Sequence, residues 1–476
     1  MRLSFHSPLA ALVRRTPITA APETPLREAV RLMSRHRVGS IIVADPASGK
    51  PLGIFTIRDL LHRVAAVSCD LDQMLSQVMS ASGLLMLDTR ATVYQAALLM
   101  ARHGVHHVII VDAEGRVAGV VSQDNLHELQ SGGGKDISAA IREASDMEGL
   151  VAAAGEIRKL AENLLAEGTA AEPLTQLIST LNDHLTVRII ELTQSDFSLP
   201  QVEWCWLAFG SEGRFEQTLS TDQDNGLAFV APADQAGVEH VRAAFLPFAR
   251  AVNERLAACG FPLCKGNVMA SNPELCLSLD EWQARFGGWL RGGSPMALLN
   301  ASIYFDFRPL YGDEGIAERL RQWLLDHVPG ATLFQRLMAE IALQASPPLG
   351  MLRDFSFDGN ATFPHTLDLK GAGARLFVDA ARILTLAAGI GETGTAQRLR
   401  ALGERGKLGG DDVAALVDGF FFIQQLRLRA QQSGEPAGVA NRVDPDALNE
   451  LDRQVLKVAL RQARKLQDRL RLEYRL

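Results

Sequence analysis

A short apolar run, Trp204-Cys-Trp-Leu-Ala-Phe209, ends on Gly210-Ser211, and ten residues past that serine the chain reads Thr221-Asp-Gln-Asp-Asn225. The run has the length and composition of a buried strand. Glycine at its end permits a sharp turn, and the backbone N–H groups of such a turn cradle phosphate oxygens. In extended chain, side chains at i and i+2 share a face, so Asp222 and Asp224 converge. Two carboxylates so placed repel each other unless a cation lies between them, and a set of hard oxygen ligands favours Mg²⁺ or Mn²⁺. A second strand follows at residues 225–230. The combination calls for an α/β domain that acts on a nucleotide.

Gly210, Ser211, Gly213, Arg214 and Glu216, followed by Asp222 and Asp224, resemble the signature of polymerase-β-like nucleotidyltransferases in the extended form found in PII uridylyltransferase. They are most similar to a bacterial nucleotidyltransferase family that carries CBS domains. The resemblance implies a nucleoside triphosphate substrate and transfer of its nucleoside monophosphate to an acceptor hydroxyl. A tyrosine on a small regulatory protein is one acceptor it suggests. It also implies a third metal-binding carboxylate on a later strand. That strand is read at residues 303–310, where Asp306 stands among apolar residues, so Asp222, Asp224 and Asp306 form the expected catalytic and metal-binding set. Burying an ionised carboxylate alone is expensive, and Arg308, two residues on, is the alternative partner that would make Asp306 a structural pair. Asp280 and Asp313 stand in loop or capping contexts and are weaker candidates. Arg214 offers a planar fork of donors for phosphate, with a salt bridge to Glu212 or Glu216 as the other reading; Glu216 is expected to orient Arg214. The segment Cys264–Leu275 resembles the family's loop, from which Lys265, Asn267 and Asn272 would reach the base or the triphosphate. An ordinary turn explains the same residues. Trp282, Phe286 and Trp289 are spaced as a helix packing face.

The first 130 residues contain an internal repeat. Residues 25–33 and 92–100 are amphipathic helix patterns; each leads to a β-branched run, at residues 40–43 and 108–111, then an acidic turn, then a second strand. Gly53 and Gly119 lie 66 residues apart. This duplication resembles a CBS pair, or Bateman module, over roughly Thr16 to Leu129, and the resemblance implies an adenine nucleotide bound between the copies. The family's nucleotide motif is met in the first copy by Gly53, Thr56 and Asp59, and in the second by Gly119, Ser122 and Asn125, an amide at the acidic position. A helix-opening hydroxyl suits a phosphate and a carboxylate three residues on suits ribose; simple helix capping is the competing explanation. His106-His107 reads better as packed or edge histidine than as a metal site.

Length of 476 residues exceeds one domain. The fold class is α/β multidomain: a tandem CBS module over 1–131, a helical connector over 135–195, a nucleotidyltransferase-like core over 196–330 and an all-α bundle over 331–476. Residues 131–134, Ser-Gly-Gly-Gly, mark the first boundary. In the connector, Leu174, Ile178, Leu181, Leu185 and Leu192 recur at helical spacing, which fits either a signalling or dimerising helix or a helix packed on its neighbour. Lys370 and Arg375 of the bundle are further candidates for closing over the nucleotide. The arginine-rich helix from Asn449 to Leu476 reads as amphipathic with a solvated face. Net charge of −7 gives no sign of nucleic acid as a partner; there is no apolar run of membrane-spanning length and no evident signal peptide. Five cysteines without a Cys-x-x-Cys fit free thiols in a reducing cytoplasm, and the spacing of Cys259, Cys264 and Cys276 matches no common zinc pattern. CBS modules often pair, so a homodimer is expected. Two other functions stay open: a non-catalytic adenine-nucleotide sensor with a degenerate core, and a transferase whose acceptor is a small molecule or RNA end.

Overall fold

The structure, a computed structural model, describes residues 8–11, 17–36, 38–65, 70–81, 83–93, 95–96, 99–100, 105, 107–122, 134–232, 235–292, 294–350, 355–357, 359, 362–432 and 440–476. Cys69, His106 and Asn125 lie outside them. The chain divides into two compact units, Met1–Lys135 and Asp136–Leu476.

In the first unit the repeat becomes two copies of one small sheet. The first copy contains β1 (Thr19–Ala20), α1 (Leu26–His36), β2 (Ser40–Ala44) and β3 (Pro51–Thr56); the second contains β4 (Met86–Asp88), β5 (His107–Val111) and β6 (Val117–Ser122). Each sheet pairs its first two strands in parallel and its last two antiparallel. The registers correspond, from Ser40↔Thr56 to His107↔Ser122, and each slips near the end of its middle strand, at Val43/Ala44 and Ile110/Val111. Alternation sends Ile41, Val43 and Phe55 onto Leu26, Ala29 and Met33, while Val108, Ile110 and Val121 pack with Val93, Ala96 and Met100. Each copy thus has its own apolar core. A Cβ on Gly53 would fall 2.4 Å from the Met79 sulfur, so a larger residue there would displace the Met79 side chain.

The second unit opens with α2 (Met147–Ala166) and α3 (Ala171–Gln194). Then come β7 (Trp204–Ala208), the single turn α4 (Gly210–Gly213), β8 (Asn225–Phe229), α5 (Gln235–Ala258), β9 (Cys276–Ser278), α6 (Leu279–Gly292), α7 (Pro295–Tyr304) and β10 (Arg308–Gly312). The remainder is mainly helical: α8 (Glu314–His327), α9 (Thr332–Ala342), α10 (Arg375–Ala387), α11 (Thr395–Glu404), α12 (Gly410–Gln432) and α13 (Glu450–Tyr474), with the short strands β11 (Leu367–Asp368) and β12 (Arg442–Val443) paired antiparallel. The main sheet has the order β10-β7-β8-β9, with only β8 and β9 parallel.

This sheet is covered on both faces, which is why its central strands read as continuous apolar runs. Trp206, Leu227 and Phe229 face α3 and α5, meeting Leu185, Ile189, Phe245 and Phe248. Cys205, Leu207 and Phe209 face the other way, onto Trp282, Phe286 and Phe305. That second core continues through Phe377 of α10 and Phe420 of α12 to Leu460 of α13. The boundary read at 330/331 therefore falls within one hydrophobic core. In α3, Leu181 and Leu185 belong to the core under the sheet, and Leu174 and Ile178 pack with Leu428 of α12, so this helix is packed on its neighbours. Trp282 and Phe286 are fully buried, as the packing-face reading requires. In α13 the apolar positions Leu456, Leu460, Ala463, Leu466 and Leu470 are buried, the pattern of an amphipathic helix.

Candidate active site

β7 ends at Ala208, paired with Asn225 of β8. The ladder runs one step further, because Phe209 N donates to the Asp224 carbonyl at 2.8 Å. Gly210 then turns at φ +56°, a left-handed conformation that favours glycine. The turn α4 follows, and Arg308 fastens it: its Nε donates to the Glu212 carbonyl, its Nη2 to Asp183 Oδ1 at 2.6 Å, and its guanidinium lies 3.7 Å over the Phe215 ring.

Asp222 and Asp224 sit on extended chain just ahead of β8, not within the strand. Period-two alternation still applies. Gln223 and Asn225 point inward and are locked by amides: Asn253 Nδ2 donates to Gln223 Oε1 at 2.8 Å and Asn225 Oδ1 at 3.0 Å, and Ala270 N donates to Asn225 Oδ1. Asp222 and Asp224 consequently face a cavity of about 570 Å³, also lined by Gly210, Ser211 and Arg214. Asp224 accepts a hydrogen bond from the Cys264 thiol at 3.4 Å. Burial, reinforced by the charge of Asp222, pushes the Asp224 carboxyl up to about 7, against the pull of Cys264, Lys370 and Arg214. Two convergent carboxylates whose charge is left uncompensated fit a hard divalent cation, with Asp222 and Asp224 to hold it.

Asp306 requires a correction. Helix α7 runs through Tyr304, and β10 begins only at Arg308, so Asp306 lies on the turn between them, anchored by buried Phe305 and Phe307 on either side. It is wholly buried and does not line the cavity. Its Oδ2 accepts from Arg214 Nη1 at 2.8 Å and Arg382 Nη2 at 2.6 Å, and its Oδ1 from Arg382 Nε at 2.9 Å. Arg398 Nη2 lies 2.7 Å from Oδ1, an ion pair without hydrogen-bond angles. Burial alone would raise this carboxyl, but Arg382, Arg398 and Arg214 outweigh it and hold the group well below the usual carboxylate range. With its lone pairs committed to guanidiniums, Asp306 is not a metal ligand here, and its partner is not Arg308. Among the described residues no cluster of three His, Cys, Asp or Glu side chains is arranged to hold a metal.

The other sequence candidates separate clearly. Arg214 both lines the cavity and donates to Glu216 Oε2 at 2.8 Å, so its two readings coexist. Glu216 also accepts from Thr395 N, tying α4's sequel to α11. Gly213 stands away from the cavity lining; a Cβ there would come within 1.9 Å of the Asp306 carbonyl, so its glycine serves close packing. Lys265 is exposed outside the lining, and Asn272 caps a 3-10 turn and donates to the Asn267 carbonyl. Lys370 and Arg375 do line the cavity. In the first unit, Thr56 and Asp59 form a capping box: Asp59 N donates to Thr56 Oγ1, and Thr56 N donates to Asp59 Oδ2 at 2.9 Å. Asp59 Oδ1 accepts from Ser80 Oγ. Ser122 closes β6.

Sequence reasoning missed Arg382, Arg398 and Arg427, all buried, with Arg382 and Arg427 in the cavity wall. The available signal was an arginine on the apolar face of a helix, as at Arg382, four residues from Val378 and from Leu386, and at Arg427, four residues after Ile423. A charge in such a stripe has to be paired or has to face a ligand.

Comparison with protein families matches residues 155–296 to the "Putative nucleotidyltransferase DUF294" domain and residues 332–474 to the "Putative nucleotidyltransferase substrate binding domain" that accompanies it. Residues 9–66 and 75–132 match the CBS domain. An uncharacterized protein of Methanopyrus kandleri is 25% identical over 119 residues, which are 25% of this chain and 60% of that relative. A CBS domain-containing protein of Bacillus subtilis is 32% identical over 108 residues, 23% of this chain and 74% of its own. Among solved structures, a CBS domain protein of Pyrobaculum aerophilum complexed with AMP is 25% identical and covers 25% of this chain and 89% of its own, with a TM-score of 0.24.

Proposed function

We propose that this chain, which joins a CBS pair to the two domains of the DUF294 nucleotidyltransferase family, transfers a nucleoside monophosphate from a nucleoside triphosphate to an acceptor hydroxyl. One observation carries the reading: Asp222 and Asp224 converge with the Gly210-Ser211 turn on a single cavity that is also lined by Arg382, Lys370 and Arg427. Its volume of about 570 Å³ falls in the range of small-molecule sites.

In this reaction the acceptor oxygen forms a bond to the α-phosphorus, the bond from that phosphorus to the bridging oxygen breaks, and pyrophosphate leaves with the electron pair. Mg²⁺ or Mn²⁺ held by Asp222 and Asp224 would supply Lewis-acid stabilisation of the phosphate oxygens. The chain's own contribution is position and charge. Gly210 and Ser211 offer the turn on which the triphosphate rests. Arg214 and Arg382, fixed by Asp306, meet negative charge without having to reorganise. The acceptor hydroxyl gives up its proton to solvent as its oxygen bonds to phosphorus, since Asp224 is committed to the metal in this reading.

The acceptor class we favour is a protein side chain, as in PII-uridylyltransferase-like modification, with the CBS pair binding an adenine nucleotide and controlling the output in a cytoplasmic, homodimeric signalling enzyme. The Thr56/Asp59 motif supports the nucleotide at that module. The rival, a non-catalytic sensor, is favoured by the commitment of Asp306 to three arginines. Incubation with each α-labelled nucleoside triphosphate, Mg²⁺ or Mn²⁺ and host lysate separates the two. Label carried to a macromolecule by the native chain, and by no Asp222→Ala/Asp224→Ala protein, supports transfer; nucleotide binding without transfer across acceptors and CBS ligands supports the sensor.

A further inference from the structure

Three cations in the cavity wall have acids to meet. Arg214 pairs with Glu216 and Asp306, Arg382 with Asp306 and Asp379, and Arg375 with Asp379. Arg427, in the middle of α12, differs. It is 7% exposed, and its partners are neutral amides: Nε donates to Asn441 Oδ1 at 2.9 Å and Nη1 to Gln424 Oε1 at 2.5 Å. Among the described residues its Nη2 has no hydrogen-bond acceptor and the guanidinium has no salt bridge. The nearby acids are engaged elsewhere. Asp368 accepts from the backbone N–H groups of Lys370 and Gly371, and Glu216 from Arg214 and Thr395.

A buried charge without a counter-charge is a standing cost in the folded state. Burial pushes the Arg427 guanidinium down to about 10, against the more distant charges of Asp368 and Glu216 and with that of Arg214. Such a group is retained where a ligand supplies the missing charge. Lys370, by contrast exposed, lines the same cavity with no salt bridge among the described residues, and it is close enough to Asp224 to oppose the rise of that carboxyl. Lys370 is thus linked electrostatically to Asp224, and Arg427 to Arg214.

We propose that Arg427, with Lys370, forms an anion subsite that takes the terminal phosphates of the triphosphate and holds the departing pyrophosphate. The subsite makes the helical region the part of the chain that distinguishes a triphosphate from a diphosphate. It rests on the nucleotidyl-transfer reading for its place in a reaction, but binding alone tests it. Amide partners suit this role, since they fix the plane of the guanidinium without neutralising it, and leave a donor edge for bidentate contact with phosphate.

The experiment is calorimetric titration of the full chain, in Mg²⁺, with inorganic tripolyphosphate and with orthophosphate, so that no base can engage the CBS module. The variants are Arg427→Met, which keeps bulk without charge, and Arg427→Lys, which keeps the charge. Native protein should prefer tripolyphosphate; Arg427→Met should lose about tenfold or more in tripolyphosphate affinity, the worth of a charge-assisted hydrogen bond; Arg427→Lys should retain most of it. Thermal unfolding separates this from a structural role, because removing an uncompensated buried charge should leave the melting temperature unchanged or raised. Equal tripolyphosphate affinity in native and Arg427→Met proteins overturns the subsite, including the case in which Arg427 serves an anionic acceptor. So does a loss of affinity that Arg427→Lys shares in full or that comes with a lowered melting temperature. Labelled transfer is scored separately: transfer without an Arg427 effect on binding leaves the enzyme reading standing alone, and Arg427-dependent binding without transfer leaves the subsite standing alone.

Discussion

Gly210 and Asp224 meet on the floor of the cavity: a Cβ built on Gly210 would lie 2.8 Å from Asp224 Oδ2, at a backbone φ of +56°. Gly210→Ala therefore does two things, straining the turn and displacing one of the paired carboxylates. The backbone cost is about 1 kcal/mol. Labelled transfer should fall far more than stability does, and a variant that transfers label at the native rate would show that this close approach has no catalytic use.

Asp306 should behave as an organiser of arginines and not as a metal ligand. Removing its charge leaves the buried guanidiniums of Arg214, Arg382 and Arg398 facing one another, and breaking a buried pair in this way costs about 3–5 kcal/mol. Urea unfolding of Asp306→Asn should show that loss, while Mn²⁺ affinity, followed by paramagnetic relaxation of water protons in whatever fraction stays folded, should match the native protein. Native stability together with lost Mn²⁺ affinity would return Asp306 to the metal site.

Glu212 gives the fold a pH dependence. Burial, helped by Asp183 and opposed by Arg308, pushes its carboxyl from 4.5 up to about 8. Between those two values the native state holds a proton that the unfolded chain has released. Stability contributed by that proton is fully present below the lower value and declines as pH rises, by at most about 1.4 kcal/mol per pH unit, until it levels off above the upper one. Glu212→Gln keeps the shape and removes the titration. Its stability relative to the native chain should climb from about pH 5 to about pH 8 and then stay flat; a difference independent of pH would mean that Glu212 is ionised in the fold.

In the first unit, Thr56 and Asp59 already satisfy each other as a capping box. Thr56→Ala should cost this unit about 1 kcal/mol. If ribose and phosphate use the same groups, they exchange one set of hydrogen bonds for another, and AMP should raise the melting temperature of the native chain but not of Thr56→Ala/Asp59→Ala. An equal AMP shift in both would make the box purely structural.

Much of this was legible in the sequence because it rested on local periodicity. The repeat in the first unit, the strand delivering Gly210-Ser211 and the outward pair Asp222/Asp224 all follow from alternation over a few residues. Asp306 was misplaced because residues 303–310 mix aromatic and β-branched residues that suit a strand, while the helix begun at Pro295 continues through Tyr304 and takes half of them. Its partners, Arg382, Arg214 and Arg398, come from 76, 92 and 92 positions away, a separation no local pattern reports. The boundary at 330/331 follows a change from mixed to helical pattern, which is real in the elements and absent from the core they share.

Asp306 lies in the interval between the two matched segments, 155–296 and 332–474, and is gripped by Arg214 from the first and by Arg382 and Arg398 from the second. Neither segment is therefore electrically complete by itself. A truncation, a transplanted domain or a gene fusion that separates them strands positive charge in one piece and its acid in another. The charge of either segment is balanced only while both belong to one chain.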